Sequence, residues 1–183
     1  MKRLLLFTGF LCAAVSGCTE GEPSSVFIAL QSDFATFESW PRYFLGSGPL
    51  EGHPAGARYG FIKESAPKGA TTYPVGSIIV KTVEFGMTKQ EWELFAMAKR
   101  GGGFNSGGAK DWEFFTLRMS TSGVPIIISR GSNPADGDAD GGSTGHGYSD
   151  TTGSGVTCNR CHGLSGTERQ DHILASVLAP GAQ

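Results

Sequence analysis

Tyr73-Pro74-Val75-Gly76-Ser77-Ile78-Ile79-Val80-Lys81-Thr82-Val83 reads as a turn that feeds a strand. Pro and Gly punctuate its first four residues, and five of the seven residues from Ser77 to Val83 are β-branched. Comparable runs lie to either side. Arg58 to Lys63 carries Tyr59, Phe61 and Ile62, Asp111 to Met119 alternates around Trp112, Phe114 and Leu117, and Val124 to Ser129 carries Ile126 to Ile128. Gly101-Gly102-Gly103 marks another break. Glu91 to Arg100 fits a short helix or a strand, because Trp92, Phe95 and Met97 suit either. Residues 46 to 57, rich in Gly and Pro, read as a loop containing His53. Such closely spaced runs favour a mainly antiparallel sheet over a parallel one.

Helical signals flank these runs. Phe27, Leu30, Phe34 and Phe37 recur at steps of three and four, which predicts an amphipathic helix packed on the sheet. Ser24 or Ser25 would cap it, and Pro41 disfavours its continuation beyond Trp40. Near the other end Ile173, Leu174, Val177 and Leu178 suit the inner face of a last helix, with His172 on its surface. The expected class is α+β: a mainly antiparallel sheet, an N-terminal amphipathic helix and a C-terminal helix bearing the motif described next.

That motif is Cys158-Asn159-Arg160-Cys161-His162. C-x-x-C-H is the attachment signature of c-type haem. Two thiols three positions apart can each add to one haem vinyl group, and the adjacent histidine reaches the iron as axial ligand. The rivals are zinc, a thioredoxin-like redox pair and a chance match. Zinc wants four protein ligands, and no second C-x-x-C or H-x₃₋₅-H lies elsewhere in the chain. A thioredoxin motif belongs after a strand in a βαβ unit, whereas this one follows a long Gly/Ser/Thr stretch.

The N-terminus points to export. Met1-Lys2-Arg3 is a basic n-region and Leu4 to Val15 an apolar h-region, too short to span a bilayer. Val15-Ser16-Gly17-Cys18 looks like the lipobox of bacterial lipoproteins, in which the cysteine is lipidated and becomes the new N-terminus. An ordinary signal peptide with an incidental cysteine is the alternative. Residues 1 to 17 are thus read as the signal, 18 to 25 as a lipidated polar tether, and 26 to 183 as one domain. Thr19 after the cysteine resembles outer-membrane rather than inner-membrane sorting, so the expected location faces the periplasm. Cys12 leaves with the signal, Cys18 takes lipid, and Cys158 and Cys161 take haem, so no cysteine remains for a disulfide. Loss of Lys2 and Arg3 moves the formal charge from −2 to −4. This mild acidity, with no Lys/Arg cluster, argues against nucleic acid as a partner.

A β-rich body with a C-terminal haem motif resembles the cytochrome P460 family, which includes the β-sheet cytochromes c′. The residues carrying the resemblance are Tyr73 to Lys81, similar to "FP-x-G-T-x-x-V-K", and Ala96-Met97-Ala98-Lys99, similar to a central strand. Trp112-Glu113-Phe114-Phe115 is similar to "W-x-Y-F", and after Cys158 to His162 comes Asp171-His172-Ile173-Leu174, similar to "D-x-V-F". Their order covers about Phe37 to Leu178. The resemblance implies one haem c with His162 on iron and an open or apolar distal face. It further implies either hydroxylamine oxidation, with a lysine joined to the macrocycle, or binding of nitric oxide or another small gas without that link. Lys81 matches the lysine by position, with Lys63 and Lys99 as weaker matches. A bland reading of Lys81 puts it at a strand end with its ammonium in solvent. The enzymes of the family also place a carboxylate shortly before C-x-x-C-H. Here residues 151 to 157 contain none, and Asp150 is the nearest acid. Hydroxyls are poor bases at neutral pH, so this departure weakens the oxidase reading. Family members often pair as dimers through their sheets, and a periplasmic redox partner would exchange the electrons.

Three further readings stay open. Met87, Met97 or Met119 could be a sixth iron ligand, favouring an electron carrier without a substrate of its own, and His53, His146 or His172 could serve instead. A haem-free binding lipoprotein would leave C-x-x-C-H idle. Asp136-Gly137-Asp138-Ala139-Asp140-Gly141 matches the first half of an EF-hand calcium loop, but Gly147 occupies the twelfth position. The alternative there is a solvated insertion spanning residues 131 to 155.

Overall fold

A computed structural model describes residues 25–49, 55–134 and 158–182. The signal-like segment, Cys18, His53, His146 and the calcium-like residues Asp136, Asp138 and Asp140 lie outside the described residues. Six strands form one sheet in sequence order: β1 (Arg42–Gly46), β2 (Ala57–Ile62), β3 (Ile78–Glu84), β4 (Glu93–Lys99), β5 (Trp112–Met119) and β6 (Pro125–Gly131). Every neighbouring pair is antiparallel. The four expected strands therefore fall where the apolar runs place them, within two residues at each end. The ambiguous stretch resolves into a 3₁₀ turn, Lys89–Glu91, followed by β4. Thr88 and Glu91 close that turn: the Glu91 carboxylate accepts from the backbone N–H groups of Met87 and Thr88. Strand β1 carries no sequence expectation, since five residues beside Pro41 are too few to show a period.

Alternate residues of a strand face opposite ways, and both faces of this sheet are covered. On the first face Phe61, Ile78, Val80, Leu94, Ala96, Phe115 and Leu117 pack beneath Ala29, Phe34 and Phe37. On the second, Ile62, Ile79, Met97, Trp112 and Phe114 pack beneath Tyr73, Ile173 and Leu178. Double coverage is why β3 and β5 are buried almost throughout instead of alternating. Strand β6 lies at the sheet's end and alternates in burial. The β5–β6 turn is tight: Ser120 N–H donates to the Val124 carbonyl, and Gly123 adopts φ +78°, a conformation that favours glycine.

The N-terminal helix is corrected. Val26 bridges Gly101 in antiparallel fashion and Phe27 N–H donates to the Arg100 carbonyl, so the segment starts as extended chain. Two 3₁₀ turns follow, Gln31–Phe34 and Phe37–Ser39. Phe34 and Phe37 are buried as expected, with ring centroids 5.1 Å from Phe115 and Phe61 respectively. Leu30, placed inward by the helical period, is 60% exposed, while Ala29 is fully buried. Aromatic and β-branched residues are weak helix formers, and sheet contacts for Phe27 outweigh a marginal helical preference.

An ion cluster ties this segment down. Glu113, fully buried on the first face, accepts from Arg130 Nε (2.7 Å) and Nη2 (2.9 Å) and from Arg100 Nη1 (3.3 Å). Arg130 Nη1 donates in turn to the Ala29 carbonyl (2.9 Å). Among the described residues no helix is long and apolar enough to cross a membrane.

Candidate functional site

Cys158–His162 forms a single α-helical turn, α1, against the second face of the sheet. Asn159 anchors it. Asn105 and Asn159 exchange amide hydrogen bonds of 2.8 and 2.9 Å, and Ala109 N–H donates to Asn159 Oδ1 (3.0 Å). The glycine-rich β4–β5 loop permits this closeness: a Cβ on Gly108 would lie 2.4 Å from Asn159 Cγ. Neither of these two cysteines forms a disulfide; both are partly buried, and Cys158 packs at the margin of the second core cluster.

His162 leaves α1 toward Phe114, ring centroids 5.3 Å apart. Its Nδ1 lies 2.7 Å from the His172 carbonyl oxygen. A carbonyl can only accept, so Nδ1 carries the proton and Nε2 keeps its lone pair. Burial lowers the His162 pKa to about 4; the bond to His172 opposes that shift, and the charges of Lys81 and His172 add to it. The imidazole is therefore neutral near pH 7, in its metal-ligating form.

His172 is not the surface residue that the helical reading placed there. It is buried, with Lys110 N–H donating to its Nε2 (3.2 Å). Its Nδ1 consequently bears the proton and faces the His162 carbonyl at 2.9 Å and Thr167 Oγ1 at 3.0 Å. The two histidines thus hold each other through backbone carbonyls. The last helix is corrected too: 3₁₀ turns Thr167–Gln170 and Ser176–Leu178 replace it. Ile173 and Leu178 are buried, but Leu174 and Val177 are exposed.

Lys81 lies mid-strand in β3, paired with Gly60 and Phe95, and not at a strand end. It shares the second face with Ile79, and its Nζ sits 5.1 Å from the Phe95 ring centroid. Burial, above all, lowers its pKa to about 8; charge on Cys158 opposes this, Arg58 reinforces it, and Glu93 and Cys161 oppose it more weakly. The amine and both cysteines are therefore within electrostatic reach. The weaker lysines are engaged elsewhere: Lys63 with Asp33 at 3.3 Å, and Lys99 in a buried pair with Asp171. Of the three methionines, Met87 is 98% exposed and Met119 sits in the first-face cluster, leaving Met97 on the face of His162.

The desolvated ammonium of Lys81 makes a stability prediction. Its folded pKa, about 8, lies below the unfolded 10.5, so the unfolded chain binds more protons between those values and stability rises with pH there. The penalty is full below pH 8 and gone above 10.5. Lys81→Met is expected to raise unfolding free energy at pH 7 by about 1–3 kcal/mol, allowing for water at the partly exposed side chain. Urea titrations at pH 7 and pH 10.5 check this. An equal difference at both pH values would mean that the amine is not desolvated.

No family model, no curated protein and no solved structure matches the chain. Among the described residues no three His, Cys, Asp or Glu side chains converge to hold one metal ion. The thiols and the imidazole offer separate contacts along one helical turn. A cleft lined by Glu38, Arg42, Phe61, Glu84, Lys89 and Trp92 includes Phe61 of the first face and none of these groups. The ion pairs Arg42–Glu84 and Lys89–Glu38 cross it.

Proposed function

We propose that the chain is an exported monohaem c-type cytochrome of the P460 type, binding or oxidising a small nitrogen species such as nitric oxide or hydroxylamine. The observation that carries this reading is the protonation of His162: Nδ1–H donates to the His172 carbonyl, so Nε2 is the available donor in a neutral ring. Haem-ligating histidines need that tautomer, set by the hydrogen bond of the other nitrogen. Haem c supplies an iron that takes small ligands and exchanges single electrons. Cys158 and Cys161 would hold its periphery and His162 its iron.

Lys81 supports the family reading. Its amine lies on the face of the attachment turn, and with a pKa of about 8 roughly a tenth is neutral at pH 7. A neutral amine is a nucleophile, the form that a lysine–macrocycle link requires. Export through residues 1–17, with Cys18 as lipid anchor, would deliver the chain to the periplasm, where haem attachment and a redox partner belong. Cell fractionation checks this: protein confined to the cytoplasm would remove both anchor and attachment route.

The testing experiment is the optical spectrum of reduced, purified protein with and without carbon monoxide. A c-type spectrum that shifts with the gas is expected from an open iron, and a strongly red-shifted Soret band from a modified macrocycle. The second reading, a six-coordinate electron carrier, draws on Met97, buried in the cluster that Cys158 adjoins. A low-spin spectrum indifferent to carbon monoxide would replace the first reading with it.

A further inference from the structure

Two consecutive residues, Asp171 and His172, hold left-handed backbone angles, φ +50° and +64°. Neither is glycine, and two such residues in succession persist where their surroundings hold them. The restraints are visible. Asp171 Oδ2 accepts from Tyr73 N–H (2.8 Å), and the Asp171 carbonyl accepts from Trp112 Nε1 (2.8 Å). Asp171 Oδ1 accepts from Lys99 Nζ, which also reaches the Lys110 carbonyl at 3.4 Å. His172 N–H donates to the Thr167 carbonyl (2.8 Å). The product of this bend is the His172 carbonyl, aimed at His162 Nδ1.

The Lys99–Asp171 pair is deeply enclosed, with side chains 8% and 5% exposed. Buried ion pairs seldom stabilise more than apolar packing of the same volume; their best use is to specify an arrangement. Here the arrangement specified is the orientation of one carbonyl. Stronger donation from Nδ1 makes an imidazole a better donor at Nε2 and favours the higher charge state of the metal it binds.

We propose that Lys99 and Asp171 are positioning residues that set the donor strength of His162 toward haem iron by fixing the His172 carbonyl, an assignment that rests on the haem reading. With the pair intact the ferric state is favoured. Without it the bend relaxes, the bond to Nδ1 weakens and the ferrous state gains.

The test compares full-length wild type with Lys99→Met/Asp171→Asn, Lys99→Met and Lys99→Arg. The double variant leaves no unpaired buried charge, so the sheet is retained while the bend loses its Lys99 restraint. Lys99→Arg keeps the cation. Three quantities are read: haem retained after denaturing electrophoresis, midpoint potential, and the iron–histidine stretching frequency of the reduced protein. The double variant is expected to keep its haem while its ferrous/ferric ratio at fixed potential rises about tenfold, a shift of ~59 mV for one electron. Its iron–histidine frequency should fall, and Lys99→Arg should lie near wild type in both quantities. A haem-bearing double variant with unchanged potential and frequency overturns the assignment alone. Wild type without haem overturns the haem reading together with it. Where Lys99→Met misfolds, the double variant and Lys99→Arg still decide.

Discussion

Protein carrying Cys158→Ser and Cys161→Ser is expected to lose all colour that survives denaturing electrophoresis, while its sheet stays folded. The thioether bonds survive detergent, whereas axial ligation by His162 is lost once the fold opens. Each single variant should keep one bond and some colour. The fold is expected to persist because neither thiol is central to the core: both are partly exposed, and only Cys158 touches the second cluster at its margin. The turn is held by the Asn159 amide and by Gly163 N–H donating to the Asn159 carbonyl, and serine disturbs neither. Haem staining of the gel and far-ultraviolet circular dichroism check the two halves. Colourless wild type would dismiss covalent haem. Colour persisting in the double variant would point to a bond elsewhere, with Lys81 the first residue to examine.

The second large effect concerns stability. Glu113→Ala is expected to cost about 3–5 kcal/mol, because it removes the buried carboxylate that Arg130 and Arg100 share. The loss reaches beyond the pair. Arg130 also donates to the Ala29 carbonyl, so the N-terminal segment over the first face should loosen with it. Replacing the closer pair, as in Glu113→Leu/Arg130→Met, should recover part of the loss, since apolar packing commonly matches a buried ion pair and Arg100, 20% exposed, can turn to water. Urea midpoints of the three proteins check this. A loss below about 1 kcal/mol for Glu113→Ala would mean that water reaches the guanidinium groups once the carboxylate is gone.

These effects locate where local pattern ended. Ile78 to Val80 and Ile126 to Ile128 are strands wherever they are read, because runs of β-branched residues pack well on a pleated surface. Phe27, Leu30, Phe34 and Phe37 misled: steps of three and four fit a helix, and they fit two 3₁₀ turns on a sheet as well. Arg42 to Gly46 carries too little period to announce an edge strand. Lys81 shows the reverse difficulty. A lysine in a run of β-branched residues is ordinarily solvated, and only its tertiary surroundings, within electrostatic reach of Cys158 and Cys161, desolvate this amine.

The chain's own order of residues determined the antiparallel sheet and the grouping of two thiols and an imidazole at Cys158, Cys161 and His162. Both follow from spacing of two to a few residues, which neighbouring chain geometry reads directly. Tertiary structure alone decided the tautomer of His162, the burial of His172 and the engagement of Asp171 with Lys99 and Tyr73, partners 72 and 98 residues away. Hydrogen bonds between such distant groups have no period; they exist only after the core has brought their strands together.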